Sequence, residues 1–117
     1  MQIYVKNSKE AVIFYQKAFG ATISNIHKND DGSYMHVEMN LFSQILALSE
    51  TLDANSFSGN TMQLCLHFTE SEKEIISNAY NVLKENAEIK FPLGPCFYSP
   101  YMFGLIDKFG VNWCLFY

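Results

Sequence analysis

The same order of elements occurs twice along this chain, and that repetition narrows the fold more than any single motif does. A short strand is expected over Gln2 to Val5. A helix follows, with Asn7 or Ser8 as its N-cap and Asn7 and Glu10 at capping-box spacing. Ala11, Phe14, Tyr15 and Ala18 recur at helical spacing, Val12 and Phe19 widen the stripe, and Gly20 suits a left-handed C-terminal stop. Three strands come next: Ala21 to Lys28, Ser33 to Asn40 after the turn "NDDG" at Asn29 to Gly32, and Gln44 to Ser49. The middle one alternates, with Tyr34, His36, Glu38 and Asn40 on one face and Met35, Val37 and Met39 on the other.

The second half repeats the plan. Thr61 to Phe68 reads as a strand, and a helix starts at Ser71 with Glu74 three residues on. Its stripe is Ile75, Ile76, Ala79, Tyr80 and Leu83, and Asn86 is the expected stop. Glu88 to Phe91 is a short strand, "PLGPCFYSP" is a Pro- and Gly-broken loop, and Tyr101 to Ile106 and Val111 to Phe116 form a hairpin around "DKFG". A four-residue turn at Asp107 to Gly110 sets Phe103 and Leu105 opposite Cys114 and Asn112.

The order is therefore β-α-β-β-β, a polar linker over 52–60, and β-α-β-β-β again. The fold class is α+β: two tandem βαβββ modules, about 1–51 and 61–117, in a single domain with a cupped mixed sheet. The 117 residues suffice for one domain. The repeat is too long for a short-repeat solenoid, so each module must pair with its copy to cover the second side of its sheet. The last strand shows the need. Val111, Trp113 and Leu115 share one face and Asn112, Cys114 and Phe116 the other, and neither face is a solvated one. A helix covers only one of them.

Charge and composition exclude several functions. All eight basic residues are Lys, and the net charge is −4. Without an Arg fork for phosphate, and without a Lys cluster, neither nucleic acid nor a membrane surface is an expected partner. No apolar run approaches membrane-spanning length, and "MQIYVKNSKE" lacks the pattern of a signal peptide. Cys65, Cys96 and Cys114 are odd in number and lack CxxC spacing, which reads as reduced thiols in a cytoplasmic protein. Ten Phe and seven Tyr are enough aromatics to line a cavity as well as a core.

Two stretches carry a resemblance. "KNSKEAVIFYQKAFGATI" looks like the opening, and "CFYSPYMFGLIDKFGVNWCLFY" the closing segment, of the PhnB-like branch of the vicinal oxygen chelate superfamily. That superfamily holds glyoxalase I, bleomycin-resistance proteins and extradiol dioxygenases. The resemblance implies paired βαβββ units curved into a cup, a homodimer, and a small molecule held in the cup, often on a divalent metal. It also implies four ligand positions. On this chain the first falls ahead of Met1, the second near Ala47, the third near Gln63 and the fourth at Cys114. Alanine has no donor atom and an amide is a poor ligand, so no metal and no other cofactor is expected.

The residues expected to meet a ligand are His36, Glu38, Gln63, Cys65, Tyr98, Tyr101, Phe103, Asn112 and Cys114. His36 and Glu38 share a strand face, as a metal pair or an acid–base couple would, and as a solvated face also would. Cys65 and His67 have the spacing of a thiol beside a base, but no oxyanion donors accompany them. Tyr98 and Tyr101 suit a rim or lid. The reading is a small-molecule-binding protein without the usual metal site. The alternatives are a metal-dependent lyase or dioxygenase with a relocated site at His36, Glu38 or Cys114, and a structural or regulatory dimer with a closed cup.

Overall fold

The computed structural model describes residues 1–53 and 61–117. The chain divides into two compact units, Met1–Ser56 and Phe57–Tyr117. Apart from Leu52 and Asp53, the linker expected over 52–60 lies outside the described residues.

The first unit runs β1 (Gln2–Val5), α1 (Ser8–Phe19), β2 (Thr22–Lys28), β3 (Tyr34–Leu41) and β4 (Gln44–Glu50). The second runs β5 (Leu64–His67), a 3-10 turn (Glu70–Glu72), α2 (Lys73–Leu83), β6 (Glu88–Gly94), β7 (Met102–Ile106) and β8 (Asn112–Phe116). Each unit carries its own four-stranded mixed sheet, in the orders β1-β4-β3-β2 and β5-β8-β7-β6. The first and last strands of each unit pair in parallel, and the other pairs are antiparallel. The repeated element order thus becomes a repeated topology.

Alternation decides which side of each sheet is covered. In the first, Ile3, Val5, Val37, Met39, Leu41, Leu46 and Leu48 are buried, and α1 packs on β3 and β4 with Ala11, Val12, Tyr15, Ala18 and Phe19. In the second, Phe103, Leu105, Trp113 and Leu115 are fully buried, and α2 packs on β7 and β8 with Ile76, Ala79 and Leu83. Deleting one such side chain to Ala costs about 2–5 kcal/mol.

The helix ends differ from expectation in one instructive way. Asn7 is left-handed (φ 61°) and offers α1 no side-chain cap. Its amide donates instead to Glu10 Oε2 at 2.7 Å. The cap comes from the end of β4: Glu50 accepts the backbone N–H of Asn7 at 2.8 Å and of Ser8 at 2.7 Å. A carboxylate from 42 residues away does what a local motif does elsewhere. The second capping box is Thr69 with Glu72, two residues before the expected start, and it opens the 3-10 turn that leads into α2.

The final hairpin corrects the expected register. Ile106 pairs with Asn112, Gly104 with Cys114 and Phe103 with Leu115. The connection spans Asp107 to Val111, closed by Asp107 N–H to Val111 O at 2.9 Å. The extra residue moves every β7 side chain to the other face. Phe103 therefore lies on the α2 side, its ring 5.1 Å from that of Tyr80, and Met102, Gly104 and Ile106 share the face of Cys114.

Candidate functional site

Across the second sheet from α2, alternation places Cys65 and His67 on β5, Asn112, Cys114 and Phe116 on β8, and Met102, Gly104 and Ile106 on β7. Gln63 leads into β5 and extends the same row. Its amide donates to Asn112 Oδ1 at 3.1 Å and its oxygen accepts the Cys65 thiol at 3.7 Å. Cys65 is registered directly with Cys114, and His67 with Phe116. The His67 ring stacks on Phe116 at 4.9 Å and 21°. It is engaged with that ring, which is not the arrangement of a base activating Cys65.

The loop between β6 and β7 folds onto this face. Ser99 is buried, and its hydroxyl sits 2.5 Å from Tyr117 O and 3.1 Å from Tyr101 O. Cys96 N–H donates to Ser99 O at 2.8 Å, closing a turn whose outer residues are Phe97 and Tyr98. Tyr98 meets Phe116 edge-on at 5.8 Å and Phe97 at 5.0 Å. Its hydroxyl end turns inward to the Cys114 and Cys96 thiols. Desolvation there, then the neighbouring Cys114 and Cys96, push its pKa up to about 12. Burial also pushes the Cys114 thiol up, and the adjacent Cys65 adds to this, while the Tyr98 hydroxyl works in the opposite direction.

Gly104 explains how a ring reaches the middle of the sheet. A Cβ at this position would stand 3.2 Å from Phe91 Cδ2, so the Phe91 ring lies where a side chain would be. Phe91, opposite Gly104 in register, is 58% exposed. The face thus offers aromatic surface at Phe91, Tyr98 and Phe116, amides at Gln63 and Asn112, and thiols at Cys65 and Cys114.

The structure brings together five of the expected residues: Gln63, Cys65, Tyr98, Asn112 and Cys114. Phe103 is on the helix side, and the Tyr101 ring packs 5.9 Å from that of Tyr117. Phe91 and Cys96 were not expected. An isolated glycine in a strand signals a close approach, and Gly104 was the legible sign of Phe91. No comparable sign marked Cys96.

His36 and Glu38 lie on the open side of the first sheet. His36 Nε2 is 3.4 Å from Glu38 Oε1, and the His27 ring is 6.5 Å away. Ala47 sits between Gln2 and Glu38 in register. Gln2 is therefore the β1 neighbour of Ala47. In the matching place of the second unit Cys65 stands beside Cys114, with Gln63 two residues away.

These residues do not fit a divalent metal. Alanine donates nothing, the amides of Gln2 and Gln63 are weak donors, and burial disfavours the thiolate of Cys114. Among the described residues no three His, Cys, Asp or Glu side chains converge as a metal-binding group.

Known proteins share this architecture. A PhnB protein from Bacillus cereus is 25% identical, with a TM-score of 0.81 over 99% of this chain and 97% of its own. TioX from Micromonospora is 16% identical, with a TM-score of 0.66 over 98% of this chain and 94% of that one. The fosfomycin resistance protein FosX from Listeria monocytogenes, solved with Mn(II) and 1S,2S-dihydroxypropylphosphonic acid, is 15% identical, with a TM-score of 0.70 over 98% and 84%. No curated protein sequence matches. A family model matches residues 1–115, and the chain belongs to the Glyoxalase/Bleomycin resistance protein/Dioxygenase superfamily.

Proposed function

We propose that this chain is a PhnB-like small-molecule-binding protein that works without a divalent metal, and that its ligand rests on the face of the second sheet opposite α2. The observation that carries this reading is the exposed Phe91 ring over Gly104, on the same face as the Gln63–Asn112 amide pair. Such a surface suits an aromatic or mostly apolar molecule with one hydrogen-bonding end. The donor-free Ala47 supports the metal-free part. His67, stacked on Phe116, does not serve Cys65 as a base.

The protein acts in a reducing, cytoplasmic setting, supported by three free cysteines, and as a homodimer, supported by the outer strands β1, β2, β5 and β6, which have one partner each among the described residues. No helix among the described residues is long and apolar enough to cross a membrane.

The test pairs elemental analysis with a probe. After dialysis against zinc, nickel or manganese, well under one ion per chain is expected. Anilinonaphthalene sulfonate should bind the native protein, and Phe91→Ala should weaken that binding about 2- to 10-fold. A stoichiometric, tightly held ion overturns the metal-free part and returns the lyase or dioxygenase alternative. Unchanged probe affinity in Phe91→Ala overturns the placement of the ligand. Light scattering that gives a monomer mass at micromolar concentration refutes the dimer.

A further inference from the structure

We infer that Cys65 and Cys114 are a redox pair: a hydroperoxide oxidises the exposed Cys65, and Cys114 resolves it to an intramolecular disulfide across β5 and β8. Three observations converge on it. The two residues are direct partners on neighbouring parallel strands, so their side chains stand side by side on one face of the sheet. Strands stand about 4.8 Å apart, inside the Cα separation of about 4.4–6.8 Å that a disulfide spans. Their exposures differ as the two roles require: Cys65 is open to solvent and Cys114 is 4% exposed. Finally, β5 is a four-residue outer strand, held by one strand neighbour among the described residues.

The chemistry balances in two steps. The Cys65 thiolate attacks the outer oxygen of the hydroperoxide ROOH; the O–O bond breaks, Cys65 becomes a sulfenic acid, and ROH leaves with one proton. The Cys114 sulfur then attacks the Cys65 sulfur; the S–O bond breaks and water leaves with the Cys114 proton. Cys96 lies on the loop and has no strand register with either partner.

The test needs no ligand, so it stands apart from the binding reading. Reduced full-length protein is treated with hydrogen peroxide at neutral pH, remaining thiols are alkylated, and the digest is read by mass spectrometry. A Cys65–Cys114 linked peptide is expected, with Cys96 alkylated and the link reversed by dithiothreitol. In Cys114→Ser, Cys65 should stop at a sulfenic acid that dimedone traps. In Cys65→Ser, an exposed change that leaves the core alone, Cys114 should remain unmodified at the same dose. Three free thiols after treatment, a link through Cys96 or between two copies, or over-oxidised Cys65 beside alkylated Cys114 in the wild type would each overturn the pair.

Discussion

Asp107→Asn is the sharpest test of how the closing hairpin is held. Asp107 is 4% exposed and accepts three hydrogen bonds. Its Oδ1 receives the backbone N–H of Phe109 at 2.9 Å and of Val111 at 3.0 Å. Its Oδ2 receives the indole Nε1–H of fully buried Trp113 at 2.8 Å. Asparagine is nearly the same shape but has one acceptor oxygen. With that oxygen kept toward the two amides, its NH2 meets the indole N–H, donor against donor. Flipped, it serves Trp113 and faces two backbone N–H groups with a donor. Either way a buried polar group loses its partner, at about 1–3 kcal/mol, and the surviving bonds lose their charge assistance. The sum is about 2–4 kcal/mol, a large part of the roughly 5–15 kcal/mol that holds such a domain together. Urea unfolding followed by Trp113 fluorescence measures it, with a fall in Tm of about 10 °C as the thermal counterpart. Stability within about 0.5 kcal/mol of wild type would refute the account of Asp107 as the anchor of β8.

Two further outcomes follow from the titrating groups. Burial pushes Glu50 up, but hydrogen bonds from the Ser8 hydroxyl and the Ser8 and Asn7 amides outweigh it and hold the carboxyl below its ordinary range. Its contribution is therefore present above the unfolded value and lost as pH falls through the lower folded one. Glu50→Gln should cost about 1–2 kcal/mol at neutral pH, and chemical denaturation across acid pH should show the gap to wild type closing. For Tyr98, raised to about 12, the sign reverses: stability is present below the unfolded pKa near 10 and lost as pH rises towards 12. Tyr98→Phe should abolish that part of the alkaline loss, and the tyrosinate absorbance missing from the variant should be one that develops in wild type only as pH nears 12; a missing component that titrates near the ordinary value of about 10 refutes the contact with the thiols.

Much of the fold was legible because its signals are local. Gly20 at φ 65° ends α1 as read, and Tyr34, His36, Glu38 and Asn40 share one face of β3. What was not legible depends on long-range geometry. The Glu50 cap joins residues that no sequence window brings together. The hairpin register hung on a single residue, because Asp107 N–H pairs with Val111 rather than with Gly110. That one step moved Phe103 into the α2 core and put Gly104 under Phe91. Pro92 had suggested a break, yet β6 runs through it to Gly94, as an outer strand permits. In the candidate site, Cys65 and Cys114 were both expected, but their direct pairing and the inward turn of Tyr98 required the parallel register and the folded loop.

The two units share one topology but differ in what their last strands carry, and this difference bears on function. In the first, Ala47 lies between Gln2 and Glu38, and the nearest imidazole, His36, is hydrogen-bonded to Glu38 rather than directed at a shared point. In the second, Cys114 lies between Cys65 and Gly104, and the missing Cβ of Gly104 admits the Phe91 ring. A metal centre drawing matched donors from both halves would need a donor at each last strand, and Ala47 supplies none. Glycine and cysteine at the second position leave room for a ring and a soft sulfur surface instead. Donor-free Ala47 in one half and the aromatic, thiol-bearing face of the other are the two features on which the proposed recognition of an organic molecule by shape and a few hydrogen bonds rests.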